Sequence, residues 1–307
     1  METELATLLG VWAAATLRSV TPLLLATLGE TLTQRVGVIN LGIEGEMLVG
    51  ACVGFAVAAG SGDAILGLAA GTAAGVILSL VHAALVLGAR ANQIASGLAV
   101  WMIGLGVTSY AGRAYVGQQV TPLGTLGTPA TDGWPVIGVF LSQTTATSFL
   151  AIAIVLFATW WLGNTRTGLA WRTVGESARV AAENGLNPGR IRLYGIMVGG
   201  ALAGLGGAVL TVDYTQTWAQ EITKGRGLIA VGLVIVARWK PSLVLPVCLL
   251  FGVSEVAVLR LQSTGVEVSS YLLAATPYAS VILILIATHI FARRALVMPA
   301  DLRAVFA

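Results

Sequence analysis

The chain has 307 residues, of which 56% are hydrophobic and 10% charged, with a formal net charge of +3 and a mean hydropathy of +0.87. A soluble domain carries about 25% charged residues, so the composition excludes an ordinary soluble fold and points to a membrane protein. The small positive balance sits between apolar segments, where the bias of membrane proteins toward cytoplasmic Lys and Arg accounts for it without nucleic acid.

A bilayer crossing needs about 20 apolar residues as a helix. Read in order on that criterion, the sequence predicts an all-α, polytopic bundle of about nine spans. They cover residues 8–33, 36–59, 64–88, 92–116, 135–162, 190–212, 225–238, 242–260 and 270–292. The seventh is short and is expected to be a tilted or partial helix. The acidic start, Met1-Glu2-Thr3-Glu4, lacks the basic residues of a secretory signal. The whole of 1–307 is expected to be one transmembrane domain with no soluble domain. Gly is abundant, at 38 residues, as suits close helix packing in lipid. Cys52 and Cys248 lie in apolar runs and read as small core residues.

The first span carries Arg18 at its centre, an expensive position in lipid. Between the first two spans, Glu30, Gln34, Arg35, Asn40, Glu44 and Glu46 crowd together with Gly37, Gly42 and Gly45. Two readings stand side by side. One is a cytoplasmic turn marked by Arg35. The other is a broken segment lining a path, with Asn40 and Glu44 facing it, since irregular backbone at membrane depth needs protein or a water-filled cavity around it. A combination of the two puts Arg35 at the surface and Asn40–Glu44 between helices. His82 and His289 each stand alone in apolar runs and read as satisfied membrane histidines. Asn92 and Gln93 open the fourth span, either as a simple helix start or as part of the path at its cytoplasmic exit. Arg113 and Tyr115 read as anchors at the outer end of that span. Residues 117–134, rich in Gly, Thr and Pro, form the largest outside loop.

The only long polar stretch runs from Gly163 to Arg192, with Arg166, Arg172, Arg179, Arg190 and Arg192 against Glu176 and Glu183. Its middle, 171–184, predicts a short helix closed by Gly185, which tolerates the left-handed conformation, and by Asn187-Pro188. With this loop placed in the cytoplasm, alternation gathers twelve of the seventeen Lys and Arg on that side, which sets the N-terminus outside and the C-terminus inside. Trp160, Trp161 and Trp239 then read as interfacial belt residues. Glu255 lies within the eighth span and faces the bundle interior or a cavity. It reads either as a ligand for a substrate hydroxyl or as a structural acid bonded to a neighbouring helix.

No Gly-Lys-Ser/Thr nucleotide loop, HExxH, CxxC or GxSxG occurs, so the sequence lacks the parts of an ATPase, a metalloprotease or a nucleophilic hydrolase. An enzyme is not expected. The stretch R-V-G-V-I-N-L-G-I-E-G-E-M from Arg35 to Met47 resembles the R-x-G-V-x-N-x-G-x-E-G-x-M stretch of ABC-transporter permeases for nucleosides and simple sugars, in the branched-chain amino acid/ribose permease superfamily. Ala91–Ala99, Gly104–Tyr110, Gly199–Ala208, Gly225–Ala230 and Arg238–Pro241 continue the likeness in order. Gln93 stands where that family commonly has Glu, and Lys240 where it has Asn.

The resemblance, which is nearest to the shorter permease of a heterodimeric nucleoside importer, implies translocation by alternating access and no cofactor in this chain. ATP and Mg would be bound by a partner ATPase. It also implies three partners: a second permease, a cytoplasmic ATP-binding subunit and an extracytoplasmic substrate-binding protein. The polar loop would carry a coupling helix, with Glu176, Ala178, Arg179, Ala181, Ala182 and Gly185 at the ATPase. Asn40, Glu44, Asn92, Gln93 and Glu255 would line the path. A channel or ion-coupled secondary transporter, using Glu44 and Glu255 as proton or sodium sites, is the alternative from another class.

Overall fold

The computed structural model describes residues 2–127, 134, 136–263, short pieces between 275 and 286, and 298–303, with backbone alone at 2–6. The helices, in chain order, are α1 (Glu2–Arg35), α2 (Ile43–Ser61), α3 (Ala64–Ala83), α4 (Gln93–Ala111), α5 (Ile137–Gln143) and α6 (Ala146–Asn164). They are followed by α7 (Arg166–Glu176), α8 (Ala178–Glu183), α9 (Pro188–Ala208), α10 (Arg226–Val236), α11 (Pro241–Ser263) and α12 (Ala300–Arg303). Pi-helical turns extend α3 through Ala84–Gly88 and α9 through Val209–Tyr214. Among the described residues, extended pairing is limited to the isolated bridges Gln119–Thr217 and Thr125–Thr145.

Seven of these helical stretches are long and apolar enough to cross a membrane: Thr7–Arg35, Ile43–Ser61, Ala64–Gly88, Gln93–Tyr115, Ala146–Asn164, Pro188–Tyr214 and Pro241–Gln262. The chain is a multi-pass helical membrane protein. Of the other expected spans, one is split, one is the partial helix anticipated, and one lies mostly outside the described residues. The predicted 135–162 span is split into α5 and α6, because Thr144 and Thr145 are extended and Leu126 N–H bonds the Thr144 carbonyl at 3.0 Å. The predicted 225–238 span is the 11-residue α10, about 16 Å long at 1.5 Å per residue and so half a crossing. The predicted 270–292 span, with His289, lies almost wholly outside the described residues.

Helices α1 and α9 form the spine. Leu23, Leu24, Leu25, Ala26 and Leu28 are all buried, so α1 is apolar on every side because every side meets protein. Thr27 and Thr31 donate to the carbonyls of Leu23 and Thr27 at 2.7 Å each, which satisfies a polar group without a partner helix, while Thr21 and Thr33 also reach Ser148 on α6 and the Gly195 carbonyl on α9. Helix α9 packs on α1, α2 and α3 through its small-residue run. A Cβ on Gly207 would lie 1.9 Å from the Met47 carbonyl oxygen, and one on Gly204 would lie 2.4 Å from that of Gly71. Backbones this close leave room for hydrogen alone, which is how helices gain van der Waals contact where lipid removes the hydrophobic drive. Outside, Ile77, Met102, Leu156 and Phe157 are exposed, as suits a lipid-facing surface.

Candidate functional site

Between α1 and α2 the chain leaves helical geometry for residues 36–42, yet Val36, Val38, Ile39 and Asn40 are all buried. Buried irregular backbone must find internal partners, and the polar residues of this stretch supply them. Glu30 Oε1 accepts from Gln34 Nε2 at 2.7 Å and from the Asn40 N–H at 3.0 Å. Asn40 Nδ2 donates to Glu46 Oε1 at 2.8 Å, and its Oδ1 accepts from the Gly42 N–H at 2.9 Å. Gln93 reaches over from α4 to take the Ile39 N–H at 2.8 Å. His82 lies within reach of the Ile39 carbonyl (3.2 Å) and of Ser96 Oγ (3.0 Å), a satisfied histidine. Asn92 caps α4 by accepting from the N–H groups of Ile94 and Ala95, so it serves there as a helix start.

Glu44 does something different. Its carboxylate accepts from Thr223 Oγ1 (2.5 Å), the Gly225 N–H (2.9 Å) and the Gly227 N–H (2.6 Å). These are the free donors at the start of α10, so an acid on α2 caps a helix distant in sequence. The negative charge also faces the positive end of that helix. Contact is tight, since a Cβ on Gly227 would sit 2.6 Å from Glu44 Cα. The first residue of α10, Arg226, donates to Glu255 Oε1 at 2.6 Å and to the Ser19 carbonyl at 2.9 Å. Glu255 is therefore the partner of a cation on a neighbouring helix. The half-helix α10 is held at its start by two acids, one on α2 and one on α11.

The polar loop folds into two helices, not the single 171–184 helix expected. Ser177 is extended and caps α8 through its hydroxyl to the Val180 N–H. Gly175 allows α7 to press on the end of α1, where a Cβ would meet the Arg35 carbonyl oxygen at 2.1 Å. Trp171 and Val174 are buried in the same contact, and Trp171 stacks edge-on against Trp161 at 4.8 Å. Helix α8 turns Ala181 inward, fully buried, and leaves Arg179, Val180, Ala182 and Glu183 exposed; Ala178 is half-buried. Arg179 and Glu183 pair at 3.1 Å across one turn. Glu176 and Gly185 are exposed beside them. The described end of the chain closes over this region. Asp301 pairs with Arg192, Leu302 is buried against Ile39, Val234 and Trp239, and the Ala300 N–H points at Glu176 Oε2.

Trp239 corrects an expectation. It is buried, and its indole N–H donates to Gln34 Oε1 at 2.5 Å, so it locks the loop network to the end of α10 instead of lying in a membrane interface. Sequence reasoning also passed over Arg226 as a site residue and Asp213, whose carboxylate takes the hydroxyls of Thr145 and Thr147. A charge inside a span calls for a counter-charge or donor, and that rule pairs Arg226 with Glu255.

Residues 13–288 match the family described as branched-chain amino acid transport system / permease component. The chain belongs to that family. Curated relatives agree in type. TsgC13 of Haloferax volcanii, provisionally named as a glucose ABC transporter permease, is 38% identical over 81% of this chain and 77% of its own length. The guanosine ABC transporter permease NupQ of Bacillus subtilis is 33% identical over 82% of this chain and 83% of its own. The nucleoside ABC transporter permease NupC of Lactococcus lactis is 31% identical over 86% and 88%. No solved structure matches. The permease is thus a membrane subunit of an ABC-type importer, a transport component and not an enzyme, and the stand-alone ion-coupled alternative falls away. The geometry agrees, because Glu44 and Glu255 are already committed to donors and to a cation.

Proposed function

We propose that this permease carries nucleosides, with simple sugars as the second cargo class, inward by alternating access as half of a two-permease pore. The relatives' cargoes support the class. The chain acts as a single domain, its N-terminus outside and its C-terminus in the cytoplasm. It works with a second, different permease, a cytoplasmic ATP-binding subunit that holds ATP and Mg, and an extracytoplasmic binding protein.

The observation that carries the mechanism is the α7–α8 element. It projects a small, charged-rim surface of Arg179, Val180, Ala182 and Glu183 while its root is clamped without slack on the end of α1 by Gly175. A rigid root and an exposed tip are what a lever needs. Movement of a partner gripping Ala182, with Glu176, Ala178 and Gly185 beside it, passes into α1 and through Ala181 into the bundle. Asn40, Glu44 and Gln93 shape the path by holding its walls, since their polar atoms are committed within the chain. Asn92 marks its inner edge and Glu255 its outer part.

The test is Ala182→Trp in the complete importer. Its exposed position predicts a folded permease in the membrane with lost uptake and lost stimulation of the ATPase. Normal uptake with normal stimulation overturns the coupling role.

A further inference from the structure

The end of the bundle opposite α7–α8 holds a cavity of about 260 Å³ lined by Ala15, Arg18, Gln143, Tyr214, Val256, Leu259 and Arg260. Its place follows from the helices. Arg18 is 17 residues before Arg35, about 26 Å along α1 at 1.5 Å per residue. Gln143, Tyr214 and Arg260 lie at or near the last residues of α5, the α9 extension and α11.

The chemistry of the lining is one-sided. Among the described residues it contains two guanidinium groups, a phenol and a carboxamide, and no carboxylate. The nearby acids each hold a partner through one oxygen, Glu255 with Arg226 and Asp213 with Thr145 and Thr147, and their other oxygens are buried away from the cavity. The Arg18 Nη2 donates to the Asp213 carbonyl at 3.3 Å, while its buried Nε has no hydrogen-bond partner among the described residues. Arg260 is steadied over the Trp12 ring at 5.3 Å, and Arg226 over the Tyr214 ring at 5.9 Å. Guanidinium offers planar donors and no acceptor, so this lining disfavours cations and selects acceptors. Pockets for drug-sized ligands run from about 300 Å³ upward, and a slightly smaller one suits a nucleoside.

We propose that this cavity is the permease's own entry site for a nucleoside. The Tyr214 ring meets the face of the base, and Arg18, Arg260 and Gln143 donate to its carbonyl oxygens and ring nitrogens. The proposal rests on the nucleoside reading above and adds the site and its donors.

Gln143→Cys gives the test, since the chain's own Cys52 and Cys248 are buried. In cells carrying the complete importer, a membrane-impermeant maleimide is expected to label Cys at 143 from outside, and guanosine to slow that labelling severalfold. Glucose, which has neither a base face nor ring nitrogens, is expected to leave it unchanged. Uptake supplies a second readout. Gln143→Leu is expected to raise KM for guanosine about threefold to tenfold with kcat held, and Arg18→Gln by about tenfold or more, the worth of neutral and charged hydrogen bonds. Absence of protection by guanosine, or protection by glucose instead, overturns the site. If wild type takes up neither guanosine nor glucose, the cargo reading fails whatever the labelling shows. Normal guanosine uptake without protection sinks the cavity alone.

Discussion

Removing the Glu44 carboxylate should loosen α10 from the bundle. The structure gives the size of the effect. Glu44→Ala leaves the buried Thr223 hydroxyl and Gly227 N–H without their acceptor, at about 1–3 kcal/mol each. It also removes a negative charge from the positive end of α10, worth up to about 2 kcal/mol in a partly buried setting. A loss of about 2–8 kcal/mol follows, or about 3–12 °C in Tm for a chain of this size. Glu44→Gln keeps one oxygen but turns an N–H₂ toward a donor, so it should fall between the two. Thermal unfolding of the purified permease in detergent, followed by size-exclusion recovery, reads the effect. A Glu44→Ala protein that melts with wild type would refute the cap. A Glu44→Gln protein as unstable as Glu44→Ala would show that charge, not hydrogen bonding, dominates.

Three further outcomes follow from the same geometry. Gly207→Val should yield no folded permease, because its side chain overlaps the Met47 carbonyl at a cost beyond the usual 1–3 kcal/mol or so of overpacking; membrane yield and detergent monodispersity check this. Trp239→Phe should cost about 1–3 kcal/mol by leaving the buried Gln34 carbonyl oxygen without its donor, measured by thermal unfolding. Asp301→Ala should release α12 from Arg192 and speed hydrogen exchange at 300–303, while global stability changes by no more than about 1 kcal/mol.

Hydropathy alone located most of the spans, because lipid demands long apolar helices whatever their packing. It failed where a local feature overrode composition. Thr144 and Thr145 sit in a run apolar enough to cross, yet their backbone pairs with Thr125 and Leu126, a contact between segments that no window along the chain can see. Ser177 broke the expected 171–184 helix for the same reason in miniature: its hydroxyl competes for the backbone as a cap. The crowd of polar residues from Glu30 to Glu46 was visible as unusual, and its irregular backbone was legible from Gly37 and Gly42. Which acid meets which donor was not. Glu30 and Glu46 turn toward Asn40, whereas Glu44, two residues before Glu46 on α2, points to α10. That division depends on where α10 lies. Trp239 read as a belt residue because an indole beside Arg and Lys at a helix end is common at interfaces; its true partner, Gln34, is distant in sequence.

The central claim is that the α8 tip is gripped by a nucleotide-hydrolysing partner in the cytoplasm. Ala182→Cys, in the complete importer, tests it by site-directed cross-linking. Maleimide labelling is expected only from the cytoplasmic face, with a cross-link from this position to the ATP-binding subunit and a change in cross-link yield on adding ATP. Labelling of the same cysteine from outside intact cells, or a cross-link only to the extracytoplasmic binding protein, would contradict it.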